Sequence, residues 1–232
     1  ARAPVIAFFH GGLWDSSMPT QFVPHCLHFA SRGALTLCVE YRVRSKHDAS
    51  PVEAVEDASM LCLFLKKNAH LLGIDVGRIV FAGAGSGAHL ALCCATLPEI
   101  GGEPGEYFRP RALFVFSPIV NTTRKGVGAK RFPTEKIAKS FSPSGFVRKG
   151  LPPLLVFHAQ QDRVVPIDQV RRFTKRYARK RNQCELLDFA SAGHTFFNYN
   201  SHQQNYEITL RSADHFLVEL GILEPDPLAG EF

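Results

Sequence analysis

Short continuous apolar runs alternate along the chain with longer stretches in which apolar positions recur every three or four residues. The first pattern reads as strands and the second as amphipathic helices, and their alternation predicts a parallel sheet wound with helices. Strands are expected at Val5 to Phe9, Ala34 to Val39, Ile79 to Ala82, Leu113 to Phe116, Leu154 to Phe157 and Glu185 to Phe189. Several are unbroken Val, Ile, Leu and Phe, as expected of central parallel strands covered on both faces. Helices are expected near Gln21 to Ser31, Ser50 to Leu72, Ser86 to Thr96, Asp168 to Lys180 and Tyr206 to Leu220. Ser50-Pro51-Val52-Glu53 combines a capping box with proline at the first helical position, and Gly73 and Gly221 supply stops. From Asn121 to Gly150 periodicity lapses into Gly, Pro, Ser and basic residues, which predicts a functional loop or small lid.

The 232 residues are 45% apolar and 21% charged, a balance that fits one domain over residues 1–232 and excludes a disordered or fibrous chain. The longest apolar stretches are strand-sized, far short of the ~18 to 20 residues of a membrane span, so a soluble chain is expected. A net charge of +6 favours solubility without naming a partner. Cysteines 26, 38, 62, 93, 94 and 184 fall mostly inside apolar segments and read as buried thiols, not as a disulfide framework. The chain opens on Ala1 and runs straight into a strand, from which we expect an upstream segment, a signal peptide among the candidates. Compartment, cytoplasmic or exported, stays open.

Four segments carry candidate chemistry, each at the end of an expected strand. His10-Gly11-Gly12 offers backbone N–H groups that a ligand oxygen can approach closely. Gly83-Ala84-Gly85-Ser86-Gly87-Ala88-His89 makes a tight turn from strand into helix. It lacks the GK[ST] ending of a phosphate-binding loop and reads instead as a nucleophile elbow. Asp162 follows the fifth strand and His194, in Ala192-Gly193-His194, the sixth. Taken singly, these are a glycine turn, a turn-forming Asp and a solvated His; their order is that of oxyanion loop, elbow, acid and histidine. His25 and His28 lie three apart with no carboxylate or cysteine set beside them, so no metal is expected. Arg171, Arg172, Lys175, Arg176, Arg179 and Lys180 read as a solvated helix face, and no nucleic-acid partner is expected.

With these motifs the whole chain resembles an α/β-hydrolase of the hormone-sensitive-lipase-like and acetyl-esterase type, starting at the oxyanion strand and lacking the family's first strands. Glu40-Tyr41-Arg42, Ser50-Pro51, Asp57, Gly87-Ala88-His89-Leu90-Ala91 and Phe196-Phe197-Asn198 share in the likeness. The resemblance implies a mostly parallel sheet with helices on both faces and hydrolysis of short-chain carboxylic esters. It further implies an Asp162–His194 pair, an oxyanion hole from the N–H groups of Gly11, Gly12 and Ser86, and no cofactor. One position departs from it. Arg78-Ile79-Val80 upstream and His89-Leu90-Ala91 downstream fix the register of the elbow, and Gly85 falls where the nucleophilic serine belongs. Ser86 is the second candidate nucleophile, if the turn is reshaped. Two functions follow: a weakened ester hydrolase, or a non-catalytic descendant that binds a small molecule or protein partner.

Overall fold

The computed structural model describes residues 2–98 and 109–226. The start at Ala1, and with it the outer limits of a 1–232 domain, lies outside the described residues. One sheet of six parallel strands runs in the order β2-β1-β3-β4-β5-β6. The strands are β1 (Ala3–Phe9), β2 (Leu35–Val39), β3 (Ile74–Ala84), β4 (Ala112–Phe116), β5 (Leu154–Ala159) and β6 (Cys184–Phe189). The chain starts at β1, steps outward to β2, then returns to lay β3 on the other side of β1. The ends of β1 and β3 therefore flank a crevice where the strand order reverses, the place where open α/β sheets bind ligands.

Helices cover both faces. α1 (Val23–Ser31) and α7 (Gln203–Glu219) pack against Ile6, Phe8, Phe114 and Phe157 on one side. α3 (Pro51–Lys67), α4 (Ser86–Thr96) and α6 (Ile167–Arg179) pack against Val5, Phe9, Phe81 and Val115 on the other. Alternate residues of β1 thus enter two separate apolar cores, and its side chains from Pro4 to Phe9 are all buried. A one-turn helix, α2 (Arg44–His47), precedes α3, and α5 (Glu135–Ser140) lies in the segment 121–150.

The differences from expectation have local causes. β3 begins at Ile74, five residues early, because Ile74 pairs with Ala3 across a register shift although Asp75 and Arg78 interrupt the apolar run. α3 stops at Lys67 and not at Leu72: the Asn68 side chain donates to the Phe64 carbonyl at 2.8 Å, and Leu71 is left exposed. The first part of the expected Gln21 to Ser31 helix is a 3₁₀ turn, Pro19–Phe22. Within 121–150, Thr134 accepts from the Ile137 amide at 3.2 Å and starts α5. The thiols are not uniformly buried: Cys38 is exposed because β2 is an edge strand, and Cys184 is half-buried.

α3 has the cap that its sequence announces. The Val52 amide donates to Ser50 Oγ at 3.2 Å, and the Ser50 amide donates to Glu53 at 2.8 Å. Ser50→Ala is expected to lower stability by about 1 kcal/mol, seen as a lower urea midpoint with an unchanged slope.

Candidate functional site

β3 runs into α4 through Gly85, whose φ of 53° and ψ of −110° form a backbone that side chains accept only under strain. The crossing of α4 over the end of β1 is close. A Cβ on Gly87 would lie 2.1 Å from the Phe9 carbonyl oxygen, so only glycine fits there. Above this turn stands His194. A Cβ on Gly85 would lie 3.3 Å from His194 Nε2, and no other atom beyond the ring's own Cε1 comes near it.

The other ring nitrogen is held. His194 Nδ1 lies 2.8 Å from Asp162 Oδ2. A carboxylate only accepts, so Nδ1 carries a proton, and the ring turns Nε2 toward Gly85. Asp162 is itself fixed, its Oδ1 accepting from the amides of Val164 at 2.8 Å and Val165 at 2.9 Å. Burial pushes the Asp162 carboxyl up, but the His194 hydrogen bond and these amides outweigh it and hold the group below its ordinary 3.8. Sequence reading missed two supports. Ser117, at the end of β4 with φ of 44°, donates to the His194 carbonyl at 3.0 Å. His158 donates to the Val165 carbonyl at 2.9 Å from directly beneath the Asp162 loop. Nothing local in the sequence marks either.

Ser86 is turned away from His194. Its side chain is fully buried, with Oγ 3.2 Å from the Tyr41 hydroxyl. Tyr41 spends its one proton on the His10 carbonyl at 2.8 Å, so Ser86 is the donor of that pair. Burial pushes the Tyr41 phenol well up, which keeps it protonated in this role.

In the loop after β1, one of the expected donors is already engaged. The Gly11 N–H is not free: it donates to Gln21 Oε1 at 2.7 Å, because the 3₁₀ turn after the loop folds back over Gly11. Gln21 Nε2 in turn donates to Asn198 Oδ1 at 3.1 Å, which ties the loop after β1 to the loop bearing His194. No turn or loop bond takes up the amides of Gly12 or Ser86 among the described residues. Leu13 and Trp14, which follow Gly12, both adopt positive φ, 53° and 57°. Esterase loops of the HGGG type have glycine at the Leu13 position, where this backbone is unstrained.

The segment 121–150 docks on this loop. Phe132 meets the rings of Trp14 and His89, and Arg131 pairs with Asp15 at 2.8 Å. A cavity of about 600 Å³ opens within the segment, lined by Arg124, Lys130, Arg131, Phe132, Thr134 and Glu135 among others. None of its walls belongs to the Asp162–His194 pair. No group of His, Cys, Asp and Glu able to hold a metal occurs among the described residues, and none of their helices is long and apolar enough to cross a membrane.

A parallel sheet covered on both faces, with an elbow after β3 and an acid–histidine pair after β5 and β6, defines an α/β-hydrolase fold. The chain belongs to the BD-FAE family, whose sequence profile matches residues 1–121 and 117–177. It is 28% identical over 216 residues to Esterase LipC of Mycobacterium tuberculosis, covering 84% of this chain and 53% of that one. It is 26% identical to the isoprenylcysteine alpha-carbonyl methylesterase ICME of Arabidopsis thaliana, covering 83% and 50%. The chain thus spans about half the length of the curated relatives it matches. The structure of esterase Est2 from Thermogutta terrifontis superposes with a TM-score of 0.90 at 36% identity, covering 97% of this chain and 85% of that one. Structures of that esterase with butyrate or propionate bound, or phosphorylated by paraoxon, cover the same 97% of this chain.

The lowered Asp162 carboxyl links this site to stability. A depressed carboxylate stabilises the fold fully above its ordinary value, and the contribution is lost as pH falls through the folded one. Asp162→Asn is therefore expected to destabilise the protein at neutral pH and to flatten the loss of stability below about pH 4, as followed by thermal melts across the acid range.

Proposed function

We propose that this chain binds short-chain carboxylic esters at the β1–β3 crevice and hydrolyses them slowly, without a covalent acyl intermediate. The observation that carries this reading is the bare Gly85 beneath His194 Nε2. Asp162 orients His194, and Nε2 acts as general base on a water occupying the space a serine hydroxyl would fill. The water oxygen bonds to the acyl carbon as its proton passes to Nε2. The oxyanion that forms faces the N–H groups of Gly12 and Ser86. When the intermediate collapses, His194 returns the proton to the leaving alcohol, and acid and alcohol are released. Ser86 contributes its amide and not its hydroxyl, which Tyr41 holds.

Support for the substrate class comes from the esterase relatives and from the short acyl chains, propionate and butyrate, bound to the Thermogutta enzyme. In this reading residues 1–232 form one α/β-hydrolase domain and 121–150 its lid, supported by the packing of Phe132 on Trp14. Losing a triad nucleophile costs on the order of a million-fold in turnover, while the oxyanion hole and binding retain roughly 10³ to 10⁴ over water. The absence of a hydroxyl at Gly85 also favours a second reading, a pocket kept for binding a small molecule or partner with no turnover.

Hydrolysis of p-nitrophenyl acetate separates the two. The first reading expects weak activity that His194→Ala abolishes; activity unchanged by His194→Ala defeats it, and none at all leaves the binding pocket. Gly85→Ser is expected to raise the rate by about a thousandfold or more. It is also expected to lower stability by roughly 1 kcal/mol, since serine tolerates the positive φ less well than glycine.

A further inference from the structure

Cys26 lies on α1 and Cys38 on β2, the edge strand beneath it, and their Sγ atoms are 3.3 Å apart with both thiols free. The two approach each other across the α1–β2 packing: Cys26 is in the core on that face, while Leu35, Leu37 and Val39 of β2 pack into the opposite one. Of the six cysteines, Cys38 alone is exposed. Cys62, Cys93 and Cys94 are buried, and burial pushes the half-buried Cys184 thiol up to about 12. A disulfide requires the sulfurs to close from 3.3 Å to ~2.05 Å.

We propose that Cys26 and Cys38 form a thiol–disulfide exchange site, which a low-molecular-weight disulfide such as oxidised glutathione converts to an internal cross-link. The exposed Cys38 thiolate attacks one sulfur of the external disulfide. That S–S bond breaks, one small thiol leaves, and a mixed disulfide remains on Cys38. Cys26, losing its proton as it reacts, then attacks Cys38 Sγ and expels the second small thiol. The protein thiols lose two electrons and two protons, and the external disulfide gains them. The order follows from access. Burial and the neighbouring Cys38 push the Cys26 thiol up, which makes it the poorer opening nucleophile, while its place 3.3 Å from Cys38 Sγ lets it resolve the mixed disulfide.

The cross-link would join two segments that both reach the crevice. The turn before α1 carries Gln21, which holds Gly11, and β2 leads into Tyr41, which holds His10 and Ser86. The inference does not depend on the ester reading.

Incubation of the full chain with oxidised glutathione, followed by intact mass and non-reducing peptide mapping, tests it. The expected product has lost two hydrogens, contains a Cys26–Cys38 peptide, reverts with dithiothreitol and melts about 5 °C higher than the reduced chain. Cys38→Ser is expected to remain unmodified, and Cys26→Ala to keep a glutathione adduct on Cys38. A lasting adduct on Cys38 of the unaltered chain, a bond to any other cysteine, or no reaction overturns the proposal.

Discussion

His194 Nε2 faces a residue with no side chain, and the packing at Gly83 and Gly87 prevents Ser86 from slipping into its place. Moving Ser86 into the place of Gly85 requires a slip of one residue. Ala84 would then occupy the place of Gly83, and Ala88 that of Gly87. A Cβ at the first place would lie 2.7 Å from the Gly87 carbonyl carbon, and at the second 2.1 Å from the Phe9 carbonyl oxygen. Such approaches are not met by side-chain adjustment, because backbone stands on both sides. The close contact of α4 with β1, which builds the elbow, is thus also what keeps Ser86 out of the site.

Around that gap the orienting apparatus persists. The Asp162 carboxylate accepts three hydrogen bonds, from His194 and two amides. Ser117 holds the backbone of the histidine loop, and Gln21 joins that loop to Gly11 through Asn198. Each is a partly or fully buried polar group whose partner could not be removed without leaving a donor or acceptor unsatisfied. Such a shell keeps its own stability and does not need catalysis to hold it. It leaves the His194 ring aimed at a fixed point, where the proposed reaction requires an oxygen brought by solvent or ligand.

The strands and the elbow helix were legible because each is written in local pattern: β4 and the first four residues of β5 are unbroken apolar runs, and Ser86 to Thr96 follows the turn glycines directly. The turn at Gly85 was legible for the same reason, because small residues run without a gap from β3 into α4. Gln21 was not, since its partners lie 10 and 177 residues away and a Gln in an amphipathic stretch carries no mark. The same holds for Ser117 and for Cys26 with Cys38, where tertiary approach makes the contact. Leu71 and Leu72 misled the end of α3, because apolar residues extend a helical pattern on paper whether or not a core exists to receive them.

The central claim is that the site has a base and no nucleophile. Paraoxon, which phosphorylates the Thermogutta esterase, tests it directly when the treated chain is weighed intact. The account predicts an unchanged mass with folding preserved, because no hydroxyl lies where His194 can activate it. A diethylphosphoryl group retained on Ser86 would contradict it.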